Sequence, residues 1–122
     1  MPSTEQMTAV VDAYVAGFEE GDTEAIVALF AEAATVEDPV GTPLKVGTAQ
    51  IREFYAAANG AKLELMGEPR CAGEFVAFPF KVKINWEGQS SAIEVIDTFR
   101  INDAGKITEM RAFWGPANMK SA

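Results

Sequence analysis

Two hydrophobic periods divide this chain. Over residues 3–20 the apolar side chains Met7, Val10, Val11, Val15 and Phe18 recur at helical spacing, with Tyr14 inside the stripe. Ser3 with Gln6 three residues on reads as a capping box, and Gly21 as the stop. Asp22 caps a second predicted helix over residues 23–30, apolar at Ile26, Val27, Leu29 and Phe30, so the two form an αα-hairpin. A third helix is predicted over residues 48–58, with Ile51, Phe54 and Tyr55 on its buried stripe and Asn59-Gly60 ending it. Beyond Gly60 the period falls to that of a strand. Strands are predicted over residues 62–68, 76–86, 89–101 and 106–114, with a tight hairpin at Glu87-Gly88 and a longer one over residues 102–105. Val76, Phe78, Phe80, Val82, Ile84 and Trp86 make one apolar face, and Met110, Ala112 and Trp114 another. Pro79 predicts an edge or a bulge, and hence curvature.

Helices followed by consecutive hairpins predict one α+β domain over residues 1–122: a curved antiparallel sheet, one face covered by three helices from the N-terminal half. Such a wrap encloses a cone-shaped apolar pocket, lined by Phe18, Phe54, Phe78, Phe80, Val95, Phe99, Met110 and Trp114. An apolar pocket with a few convergent polar groups is the default binding site.

Those polar groups are exceptions to the pattern. In the strand over residues 91–101, Ile93, Val95, Asp97, Phe99 and Ile101 share a face, and Asp97 alone is polar. Desolvation raises the pKa of such a carboxyl and favours its neutral form, a hydrogen-bond donor. In ATVEDPVG, alternation groups Asp38 with Val36 and Val40, and Pro39 places it at the open end of a short strand, where partial solvation keeps it ionisable. An Asp-Pro turn without chemistry, or a buried Asp satisfied by the backbone, fits the same residues. Tyr14 packs its ring in the core, and its hydroxyl still needs a partner.

Composition narrows the chemistry. The sequence has no histidine and a single cysteine, Cys71, which removes His-based acid–base catalysis, Ser or Cys triads and an internal disulfide, and argues against a zinc site. Proton transfer falls to Asp, Glu, Tyr or Lys. A net charge of −8 repels phosphate backbones, so no nucleic-acid partner is expected. No apolar run approaches the ~18 residues of a membrane span, and MPSTEQMTAVV lacks the layout of a signal peptide. The expected location is the cytoplasm.

The segments MTAVVDAYVAG, GDTEAIVALFAEAATVEDPVG, GTAQIREFYA, EVIDTFR and MRAFWGPAN, spanning nearly the whole chain, resemble the bacterial Δ5-3-ketosteroid isomerases of the nuclear-transport-factor-2-like (SnoaL-like, cystatin-like) superfamily. The resemblance implies a steroid Δ-isomerase that needs no metal or organic cofactor. It implies that Asp38 is the proton-shuttling base, that Tyr14 and Asp97 are the oxyanion-hole donors, and that Tyr55 supports Tyr14 by a hydrogen bond. Phe30 stands where some members extend that network with a further tyrosine. It also implies a homodimer formed through the sheet, to which the outward-facing apolar residues Phe75, Ile96 and Phe113 point independently.

Overall fold

The computed structural model describes residues 1–121; the side chains of Trp86, expected on the apolar face of its strand, and of Ser121 lie outside that description. Helix α1 (Thr4–Glu19) starts at a capping box: the Gln6 amide donates to Ser3 Oγ at 3.1 Å and the Ser3 amide to Gln6 Oε1 at 2.8 Å. Met7, Val11, Tyr14 and Phe18 form its buried stripe. Gly17 lets α2 (Thr23–Val27) pack close, since a Cβ there would lie 2.6 Å from Ile26 Cγ1.

The second helix is shorter than its periodicity predicts. At Phe30 the chain enters strand β1 (Phe30–Glu37), although FAEAA is helix-favouring sequence. Pairing decides the outcome: the Ile107 amide donates to the Leu29 carbonyl at 2.9 Å, drawing the segment into the sheet. After β1 come β2 (Lys45–Val46), α3 (Thr48–Ala57), β3 (Lys62–Leu65), β4 (Arg70–Ala72), β5 (Phe75–Trp86), β6 (Gln89–Ile101), β7 (Ile107–Phe113), a 3-10 turn (Pro116–Asn118) and β8 (Met119–Ser121). The predicted strand over residues 62–68 is thus cut short at Leu65. Strands β2, β4 and β8, of two or three residues, are too short for alternation to reveal.

The sheet runs β2-β1-β7-β6-β5-β3, with β4 also on β5 and β8 on β6. It is mixed, which corrects the wholly antiparallel expectation: β1 lies parallel to β7, with Glu37 beside Arg111. Consecutive hairpins are antiparallel by construction, but β1 arrives from outside the hairpin series and inserts next to the last long strand. Glu87 and Gly88 both take positive φ, 50° and 78°, as a two-residue turn matching the strand twist requires. Pro79 causes no bulge, for the register from β5 to β6 is unbroken there. Its carbonyl accepts the Met66 amide at 2.9 Å, so the side that lacks an N–H faces the gap between β3 and β4, where no ladder bond is lost.

The helices close over one sheet face, burying Val36, Val76, Phe78, Phe99, Met110 and Ala112 completely or nearly so. No helix among the described residues is long and apolar enough to cross a membrane.

Candidate active site

Tyr14 hangs from the third turn of α1 into the concave side of the sheet, its ring 5.0 Å from that of Phe99 and 5.2 Å from that of Phe18. Its hydroxyl lies 2.9 Å from the Tyr55 hydroxyl, a bond supplied by the buried stripe of α3. Phe30 packs on Tyr55 with ring centroids 5.6 Å apart and offers no hydroxyl, so the chain of phenols ends at Tyr55. Burial, foremost, and the surrounding acidic groups raise the pKa of Tyr14 well above the usual phenol value; burial does the same to Tyr55 against the opposing effect of the Tyr14 bond. Both are therefore protonated phenols.

Asp97 sits in the middle of β6, between Phe78 of β5 and Ala112 of β7. It is 1% exposed, and neither carboxyl oxygen has a hydrogen-bond partner among the described residues. Buried polar atoms are normally paired, so two unpaired oxygens in one core side chain make Asp97 a candidate site residue. Desolvation, then the charge of Asp38, raises its pKa well above the ordinary carboxylate value. In its neutral form such a group offers one donor, aimed where the strand aims it.

Asp38 stands one residue past the end of β1, half-buried, and its Oδ1 accepts a hydrogen bond of 2.8 Å from Trp114 Nε1. Burial raises its pKa, while the indole bond and the charge of Lys45 pull the other way. The net effect is a carboxyl that binds a proton more tightly than a free aspartate. Val40, expected to continue the same face, is exposed instead. Thr42 closes a turn onto the Pro39 carbonyl through its amide at 3.2 Å and its hydroxyl at 2.8 Å, which ends the extended backbone.

One cavity of about 560 Å³ joins Tyr14, Asp38, Asp97 and Tyr55. Of the eight expected lining residues, Phe18, Phe54, Phe80, Val95 and Trp114 border it. Phe78, Phe99 and Met110 do not. They are on the predicted face but lie fully covered in the core, Phe78 and Phe99 edge-on to the Tyr14 ring. The cavity instead runs toward the β5–β6 hairpin, over Val82, Ile84 and Ile93, with Leu63 and residues 57–61 opposite. Val82, Ile84 and Ile93 are the next members of the same alternating faces as Phe80 and Val95, a signal present in the sequence. The Trp114–Asp38 bond has no signal in local periodicity beyond the general need of a packed indole N–H for an acceptor.

The profile of the SnoaL-like domain family matches residues 11–110. The chain belongs to this family. Within it, the chain is 42% identical over 116 residues to a steroid Δ-isomerase of Nocardioides simplex, covering 93% of this chain and 94% of that one. It is also 31% identical over 122 residues to the epoxide hydrolase LasB of Streptomyces lasalocidi, covering 94% of this chain but only 43% of that longer protein. Among solved structures, the epoxide hydrolase/cyclase-like enzyme SalBIII, described in connection with pyran ring formation in the polyether salinomycin, superposes with a TM-score of 0.92 at 29% identity over the full length of both chains. The SnoaL-like fold is therefore shared by relatives with different reactions, and the superfamily resemblance read from the sequence holds.

Proposed function

We propose that this protein is a steroid Δ-isomerase, converting a Δ5-3-ketosteroid to its Δ4 isomer without metal or organic cofactor. The observation that carries the reading is the convergence of a partly buried carboxyl, a hydrogen-bonded pair of phenols and a desolvated carboxyl on a single apolar cavity. Its volume of about 560 Å³, several times the ~150 Å³ cavity that holds a single benzene, leaves room for a multi-ring apolar substrate.

In this mechanism Asp38 takes a proton from C4, beside the 3-carbonyl. The electron pair of the broken C–H bond moves into a dienolate, placing negative charge on the carbonyl oxygen. Tyr55 donates to Tyr14, which frees the Tyr14 proton to point at that oxygen, and neutral Asp97 donates beside it. Donors already fixed in a dry cavity stabilise the developing charge without the reorganisation that water would need. Asp38 then returns the proton to C6, so atoms balance and the enzyme ends as it began.

A neutral acid facing a carboxylate could also open an epoxide, as the names of two relatives imply for those proteins. The full-length relationship at 42% identity favours isomerisation. The test is conversion of 5-androstene-3,17-dione, followed by the rise in conjugated-enone absorbance. Rapid conversion supports the proposal; no rise above the buffer rate, from protein that still binds a steroidal phenol, overturns it.

The same reading includes a cytoplasmic homodimer. Phe75, Ile96 and Phe113 are 42%, 49% and 43% exposed on the sheet face away from the helices, and apolar groups clustered so call for a cover. Light scattering in dilute neutral buffer is expected to give twice the 13.1 kDa chain mass. A mass near the single-chain value would rule the dimer out.

A further inference from the structure

The sheet face opposite the cavity carries an ion pair one residue away from Asp38. Strand alternation turns Glu37 to that outer face while Val36 and Asp38 point inward. The Glu37 carboxylate joins two separate parts of the chain. Arg111 Nε, from the parallel neighbour β7, donates to its Oε1 at 3.0 Å, and the Gly41 amide donates to its Oε2 at 3.1 Å. The Val40 amide donates to the Ala112 carbonyl at 2.9 Å, so the turn after Asp38 is tied to β7 at both Val40 and Glu37. Arg111 is itself held, its guanidinium 5.5 Å from the centroid of the Phe113 ring. The Gly41 amide and then Arg111 keep the Glu37 pKa below its ordinary value, so at neutral pH it is a carboxylate.

An ion pair 41% and 19% exposed adds little to stability as such. Its placement is what matters. From the residues it joins, we infer that Glu37 and Arg111 are positioning residues, which clamp the turn of residues 38–42 from behind the sheet and thereby hold the Asp38 carboxylate against Trp114 and over the cavity. Trp114 fixes one oxygen of the base from the front; the clamp fixes its backbone from the rear. A misplacement of about 1 Å at a reacting group costs about a hundredfold in rate, so a small slackening of this turn is sufficient to be seen.

The kinetic part of this inference rests on the isomerase reading, and a spectroscopic part does not. Glu37→Gln keeps the size of the side chain but only one accepting oxygen; Arg111→Met removes the partner; Arg111→Lys restores the charge without the fork. In Glu37→Gln and Arg111→Met, kcat for 5-androstene-3,17-dione is expected to fall about tenfold with KM within twofold of wild type, and Arg111→Lys to recover part of the loss. In parallel, the indole N–H proton resonance of Trp114, assigned with Trp114→Phe, is expected to move toward the position of a solvent-bonded indole in the first two variants. If wild type does not isomerise the substrate, the isomerase reading fails and the indole signal alone decides on the clamp. An unmoved indole signal in folded Glu37→Gln, or kcat within twofold of an active wild type, overturns the inference.

Discussion

Asp38→Asn is expected to lower kcat by two to four orders of magnitude while the affinity for a steroidal phenol changes no more than about threefold. The amide keeps the shape of the side chain and can still accept the Trp114 bond through its oxygen, so the cavity is expected to persist. It cannot take up the substrate proton, and a positioned general base contributes about 10²–10⁴ in rate. Steady-state kinetics with a parallel binding titration checks this. If the variant retains more than about a tenth of the wild-type kcat, which is under ~1.4 kcal/mol of barrier, Asp38 is not the base. The pH profile has a defined sign: kcat/KM rises with pH as Asp38 ionises, through an apparent pKa displaced upward by burial.

At Asp97 the expected order of kcat is wild type, then Asn, then Ala, with Ala down about a hundredfold or more and Asn nearer tenfold. A neutral carboxyl and an amide each donate one hydrogen bond from about the same place, whereas alanine donates none. Tyr14→Phe, which removes the other donor, falls below wild type for the same reason. Stability gives a second readout. Because burial raises the Asp97 pKa in the folded state, the folded chain holds a proton that the unfolded chain has released above about pH 4. The stabilisation is therefore fully present below the unfolded pKa and declines as pH rises toward the folded value. Asp97→Asn abolishes that slope, so its Tm relative to wild type is expected to be higher at pH 7 than at pH 4. An Asn variant as slow as Ala, or a carbon-13 carboxylate signal showing Asp97 ionised at pH 7 in the free protein, contradicts the donor role.

Much of this could be read before any coordinates, for local reasons. Asp97 stands out because strand alternation is strict, and one polar residue on a buried face breaks a pattern of period two. Tyr14 sits within a helical stripe, and a helix that buries Met7, Val11 and Phe18 must bury Tyr14 as well. What escaped was non-local. The strand begins at Phe30, inside helix-favouring sequence, because Ile107 of β7 pairs there, and the register shifts before pairing resumes at Thr35; the segment's own residues announce neither. Trp114 reaches Asp38 across 76 residues of sequence. Phe78 and Ile84 lie on one face of the same strand, yet only the placement of the helices decides which is sealed in the core and which opens on the cavity.

The parallel seam of β1 and β7 also governs when the site comes into being. Joining strands from opposite ends of the chain requires closing a long loop, whose entropy must be spent before the pairing returns any energy, whereas the β5–β6 and β6–β7 hairpins close locally. Until residues 107–114 have docked, the carboxyl proposed as the base has neither its Trp114 partner nor the Glu37–Arg111 contact behind it. On the proposed mechanism, competence is thus a property of the completed topology.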